Sequence, residues 1–295
     1  MTDCPNRIYA GLAHVTYAGD PFDLGHGVVL SSTYAHLFAA NMMAFSRAAV
    51  GQHHPAPWRA ARGGYGYDVE VELAVPTGQQ LPAGLNGEDA IGLIAALLRL
   101  TEYTNLMVPV ISDVSFNIAA NSKQEPLLRP FETEARILQP TAEGLSRLKI
   151  EDLSWVKAVW PRTAELMQTC PSLNMALRSA DTCTVRGRPS SALLIAWGAL
   201  EELFSPSRAE IRFRVSAHIA AYLEPVGPQR LELFKTVANL YNTRSKAAHT
   251  AHDVEVTALV QSFVILRNAL IRIIAEGAVP TQVELEERLF CGDPR

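Results

Sequence analysis

No run of about 18 or more uninterrupted apolar residues occurs in this 295-residue chain, which argues against a membrane-spanning helix. Cysteine is scarce. Cys4, Cys170, Cys183 and Cys291 stand far apart with no C-x-x-C pair, which leaves no pattern for a disulfide framework or a zinc site. The opening Met1-Thr2-Asp3-Cys4-Pro5 has neither a basic n-region nor an apolar h-region, so no secretory leader is expected and the thiols are read as reduced and cytoplasmic. An excess of positive charge is also missing. The formal charge is −4; residues 151–295 carry 16 basic and 16 acidic side chains, and the first 150 carry 10 and 14. A protein that coats nucleic acid needs a strong positive field, so any RNA contact must be local. The chain contains no Walker A, H-E-x-x-H or G-x-S-x-G motif, and Gly63-Gly64-Tyr65-Gly66 lacks the G-x-G-x-x-G frame of a nucleotide loop.

What is present is ordinary for a folded protein, with 48% apolar and 19% charged residues. The first half reads as mixed α and β. Apolar and acidic residues alternate in Tyr67-Asp68-Val69-Glu70-Val71-Glu72-Leu73, the period of a half-buried strand. Leu106–Ile111 is a second candidate, which Pro109 assigns to an edge or a strand end, and Phe131–Leu138 is a third. Between the first two, Asn86 is placed to cap a helix with Glu88 and Asp89 in its first turn. The segment Gly51–Gly66, rich in Gly, Pro, His and Arg, reads as an exposed loop. His53 and His54 lie in it without a third ligand at regular spacing, so a flexible loop is preferred to a metal site.

From about Leu145 strand signals vanish. Apolar periodicity predicts helices over Leu153–Met167, Ser190–Phe204, Arg208–Glu224, Arg230–Ala248, Asp253–Glu276 and Gln282–Phe290. Ser207 with Glu210 and Thr281 with Glu284 form capping boxes, and Asp253 reads as an N-cap. The stripe Val256, Leu259/Val260, Phe263, Leu266, Leu270, Ile273/Ile274 keeps helical spacing. Short connections such as Pro225–Pro228 favour antiparallel neighbours in a bundle. The expected architecture is α+β: a mixed α/β domain over residues 1–145 and an all-α bundle over 146–295, divided near Pro140–Leu145.

The most informative segment is Leu240-Tyr241-Asn242-Thr243-Arg244-Ser245-Lys246-Ala247-Ala248-His249-Thr250. It ends a helix whose expected buried face is Leu231, Phe234, Ala238 and Tyr241. Arg244 and His249 are roughly 140° apart at about 100° per residue, yet both side chains are long and can turn into one cleft. Arginine is permanently charged and forks onto phosphate oxygens, while histidine exchanges a proton near neutral pH. The competing explanation is that both complement the carbonyl end of the helix.

Three elements in order give this region a family likeness. An apolar helix ends in acids at Ile195-Ala196-Trp197-Gly198-Ala199-Leu200-Glu201-Glu202-Leu203-Phe204; a second helix follows from Glu210 to Ala220; then comes Leu240-Tyr241 with Arg244-Ser245-Lys246 and His249. Together they resemble the Apea-like branch of the HEPN superfamily, whose ribonucleases share an R-x4–6-H motif late in a helical bundle. The likeness spans residues 150 to 275. Thr250 stands where such proteins often have glycine, a departure that bears on turn geometry more than on chemistry.

The resemblance implies a HEPN-like bundle that cleaves RNA without a metal or other cofactor. In it the ribose 2′-hydroxyl attacks the adjacent phosphate, His249 transfers the proton and Arg244 stabilises charge on the phosphate. Glu201 or Glu202 orients one of that pair across the bundle, Lys246 contacts phosphate, and a homodimer brings two motifs to a shared cleft. The plain alternatives are a solvated acidic face for the glutamates and an exposed lysine for Lys246. Two functions follow: a cytoplasmic endoribonuclease of the defence or toxin type, with the first half as sensor or regulator, or a non-catalytic HEPN module for dimerisation or ligand binding.

Overall fold

The computed structural model describes residues 6–134, 136, 146–185, 187–204, 210–249 and 254–292, without the side chains of 38–42, 61–65 and 249. The chain is mixed α+β, with a sheet region followed by helices. The first half runs β1 (Arg7–Ala13), β2 (Val15–Thr16), β3 (Phe22–Gly25), β4 (Val28–Ala44), β5 (Trp58–Pro76), a short 3-10 turn, α1 (Gly87–Leu100), β6 (Met107–Ser112), α2 (Phe116–Ala119), β7 (Leu128–Pro130) and β8 (Ser146–Arg147). The second half is helical: α3 (Ile150–Thr169), α4 (Pro171–Thr182), α5 (Pro189–Phe204), α6 (Ile211–Leu223), α7 (Pro228–His249), α8 (Val256–Glu276) and α9 (Gln282–Cys291).

The main sheet has the order β3-β4-β5-β1-β6-β7 with antiparallel neighbours, and β2 pairs β8 in parallel. β5 buries Val71, Leu73 and Val75 in the main core, while Val69, across a bulge in the β1–β5 register, packs with Tyr9, Ala74 and Phe116 in a second cluster on the other face. Its opposite face is not uniformly wet. Glu72 is buried and accepts hydrogen bonds from the Ser115 hydroxyl and the Phe116 N–H at the start of α2, a carboxylate that satisfies orphan donors there. Pro109 does not place β6 at an edge, because β6 lies between β1 and β7. The Pro109 carbonyl accepts the Phe131 N–H, so the missing N–H faces the end of β7, where the ladder stops at Pro130. The third expected strand is shorter and earlier, at Leu128–Pro130; Phe131–Glu134 have no regular structure, Arg136 makes one isolated bridge to Val185, and 137–138 lie outside the described residues. The loop expected over 51–66 ends early, since β5 already begins at Trp58.

Asn86 caps α1 by accepting from the Asp89 N–H. Thr281 and Glu284 form the reciprocal capping box of α9, whereas Ser207 and Asp253 lie outside the described residues. Glu210 caps nothing; it has φ +50°, and α6 starts only at Ile211. The buried face of α8 is Leu259, Phe263, Leu266, Leu270, Ile273 and Ile274, while Val256 and Val260, expected in that stripe, are exposed. Among the described residues α8 is also the one helix long and apolar enough to cross a membrane, and half of its apolar window is buried in the protein. α4 was not expected. Its Pro171 start and its small-residue stripe of Leu173, Ala176, Leu177 and Ala180 carry a weaker signal than the neighbouring leucine-rich helices.

The division expected near 140–145 falls outside the described residues. On either side of it, sheet and helices share one hydrophobic core that runs from Ala10 to Leu285. Trp160 of α3 is fully buried and donates its indole N–H to the Leu24 carbonyl of β3 at 2.8 Å. Arg99 of α1 reaches Asp181 of α4 at 2.8 Å and Glu132 at 2.6 Å.

Candidate functional site

α7 turns Val237, Ala238, Leu240 and Tyr241 inward. Leu231, expected on that face, is exposed because α7 has only just left the α6–α7 turn there. Residues three or four apart share a helix face, so Tyr241 and Arg244 point together, as do Trp197 and Glu201 on α5. The two pairs meet. The Trp197 and Tyr241 rings pack edge to face with centroids 5.3 Å apart. One turn further along each helix, Arg244 Nη2 lies 2.9 Å from Glu201 Oε1 and 3.2 Å from Oε2, the second contact having hydrogen-bond geometry. The guanidinium carbon sits 5.6 Å from the Tyr241 ring centroid. α8 completes the frame through Ser262, whose hydroxyl accepts from the Trp197 indole N–H at 3.0 Å.

Both charged groups are largely enclosed, with side-chain exposures of 24% for Arg244 and 19% for Glu201. Among the described residues, Arg244 Nε is buried without a hydrogen-bond partner, so Glu201 occupies only part of the guanidinium fork. Burial raises the Glu201 carboxyl above its ordinary 4.5, offset in part by the Arg244 charge and a hydrogen bond with Tyr241. The Tyr241 hydroxyl is pushed up as well, by burial first and the Glu201 charge second. A carboxyl raised in the folded state holds its proton more tightly there, so its stabilising share is present below the unfolded value and lost as pH rises through the folded one. Glu201→Gln is therefore expected to flatten the pH dependence of thermal stability from about 4.5 upward. A melting profile identical to wild type across that range would exclude this assignment.

The other residues singled out by sequence are placed as follows. Glu202 is exposed, one position round α5 from the pair, and does not join it. Lys246 is exposed on α7. His249 is the last residue of α7, with its side chain outside the described atoms; Thr250 and Asp253 also lie outside the described residues. Ser262 was missed by sequence reasoning, although a serine inside the apolar stripe of α8 is itself a signal for a buried polar partner. A cavity of about 470 Å³ lies between α1, α3 and α4 with Leu93, Phe131, Met167 and Asp181 in its wall, and none of its lining residues belongs to α5 or α7. Among the described residues, no group of three or more His, Cys, Asp or Glu is gathered closely enough to hold a metal ion.

Searches against protein-family models, curated proteins and solved structures return no match for this chain.

Proposed function

We propose that this protein is a HEPN-type, metal-independent endoribonuclease in which Arg244 and His249 form the reacting pair. The observation that carries the reading is the cross-helix pairing of Arg244 with Glu201 over Tyr241, at the end of the helix that carries the R-x4-H spacing. A guanidinium held on an aromatic ring and steadied by one carboxylate is pre-oriented, with donors left over for phosphate oxygens. His249, five residues on, supplies the group that changes charge near neutral pH. The ribose 2′-hydroxyl attacks the adjacent phosphorus and loses its proton to a base, the bond to the 5′-oxygen breaks, and that oxygen takes up a proton. The products carry a 2′,3′-cyclic phosphate and a 5′-hydroxyl. Two copies joined through the helical half would bring two such pairs to one cleft.

The second reading is a non-catalytic HEPN module for dimerisation or ligand binding. It draws on the same ion pair, since Arg244 already has a counter-charge in Glu201 and the chain's charge balance is −4. Incubation of wild-type protein with a mixed RNA in EDTA separates the two. Cyclic-phosphate ends are the expected product; intact RNA under every condition that supports dimer formation favours the module.

A further inference from the structure

β4 and β5 are longer than the sheet that contains them. β3 pairs β4 no further than Leu30, and β1 pairs β5 only from Val69 to Pro76. From Leu37↔Tyr67 to Ala44↔Trp58 the two strands continue with only each other, both outer edges unpaired among the described residues. At about 3.3 Å per residue this ribbon reaches roughly 25 Å beyond the sheet. No residue from Met43 to Ala60 is buried. A lone two-stranded ribbon is marginal in water, so its length is not explained by the stability of the fold.

Its composition departs from the rest of the chain. From Leu24 to Tyr67 there are three arginines (Arg47, Arg59, Arg62) and no Asp, Glu or Lys, in a protein whose formal charge is −4. Two rings stand out at its tip: Phe45 and Trp58 are 60% and 57% exposed, whereas the exposed Tyr34 lies at the ribbon's base, where its hydroxyl donates to the Asp68 carboxylate at 3.4 Å. Trp58 is held in place nonetheless, because its indole N–H donates to the His54 and Pro55 carbonyls at 2.9 and 3.0 Å. The His54 ring in turn bonds the Ser46 carbonyl at 2.9 Å. The tip thus presents an oriented indole on one face of the ribbon, and Arg59, the next residue of β5, on the other.

Exposed rings that stack bases, interleaved with arginines that meet phosphates, are the chemistry of single-strand recognition. Edge pairing between two such arms fits less well, since it would bring like charges together with no acid to offset them. We propose that the β4–β5 ribbon is a docking arm for single-stranded nucleic acid, with Phe45 and Trp58 as stacking faces and Arg47 and Arg59 as phosphate contacts. The ribonuclease reading enters only in the choice of RNA over DNA.

The test measures binding of a labelled oligouridylate and its deoxy counterpart to full-length His249→Ala protein by fluorescence anisotropy over a range of salt. Arg47→Gln/Arg59→Gln is expected to reduce the slope of log affinity against log salt by about 1.4, at roughly 0.7 per phosphate contact. Trp58→Ala is expected to weaken binding on the order of tenfold. Unchanged circular dichroism confirms that these exposed substitutions leave the fold intact. Preference for the ribo-oligomer ties the arm to RNA, and equal binding of both assigns it to single strands without sugar discrimination. No binding of either oligomer, or variants with unchanged affinity and slope, overturns the inference. Variants that alter sedimentation while binding is unchanged make the arm a contact between copies and overturn it as well. The ribonuclease reading fails separately, on the absence of cyclic-phosphate ends from unsubstituted protein.

Discussion

Arg244→Gln is expected to lower single-turnover RNA cleavage by about two to three orders of magnitude, the usual cost of removing one pre-organised donor from a transition state. Glutamine keeps some hydrogen-bonding capacity but loses the charge and the fork. Arg244→Lys is expected to recover little, because a point charge neither stacks over the Tyr241 ring nor bonds phosphate with two parallel donors. The structural effect of Arg244→Gln should be small by comparison. The pair is partly exposed, and removing it leaves Glu201 a raised carboxyl that still has Tyr241 as a partner. A loss of about 1 kcal/mol in urea unfolding is the expected scale. Cleavage within a few-fold of wild type in Arg244→Gln would remove Arg244 from the reaction.

Arg99→Met is expected to destabilise the protein by about 3 to 5 kcal/mol without touching the proposed site. The Arg99 side chain is only 3% exposed. Its guanidinium bonds Glu132 at 2.6 Å and Asp181 at 2.8 Å, and its Nε donates to the Leu106 carbonyl at 2.9 Å. Glu132 in turn accepts the Val108 N–H, so the same carboxylate anchors β6. Methionine fills the space but leaves two carboxylates facing a low-dielectric wall. Arg136 still compensates both in part, and Asp181 remains 30% exposed, so the lower end of the range is the better figure. A shifted urea midpoint at unchanged slope is the expected signature. A loss below about 1 kcal/mol would mean that the network contributes specificity rather than stability.

How far the sequence carries differs between the two halves. Helices in the second half were legible because long apolar side chains repeat at helical spacing, and α7 and α9 begin and end within two residues of the expected positions. α4 was not, since alanine contributes little to an apolar stripe even when it is buried. In the first half α1 was legible from its Asn86 cap, and among the strands β5 and β6 carried signals. β1 reads Arg7-Ile8-Tyr9-Ala10-Gly11-Leu12-Ala13 and is buried toward its end, so its pattern does not alternate and gives no period to detect. The sheet depends on pairings distant in sequence, such as β1 with β6, which no local pattern encodes. Gly51–Gly66 misled for a chemical reason: glycine, proline and histidine suggest a loop, yet from Trp58 onward the residues pair with β4 as ribbon.

For the site, the spacing within each helix was informative and the partner across the bundle was not. Periodicity puts Tyr241 and Arg244 on one face of α7, but it cannot choose between Glu201 and Glu202 on α5, which differ by about 100° of helix rotation. Packing decides it. Glu201 follows the buried Trp197 by one turn, and Glu202 falls on the exposed side.

The central claim is that His249 performs proton transfer in RNA cleavage. It is tested most directly by comparing wild type with His249→Ala on one RNA substrate in EDTA, with the new ends identified chemically. Loss of general acid–base catalysis is expected to slow the variant by about two to four orders of magnitude. Wild type should leave 2′,3′-cyclic phosphate and 5′-hydroxyl ends, and circular dichroism of the variant should be unchanged. Equal cleavage by both proteins, or ends bearing a 5′-phosphate, would contradict the account.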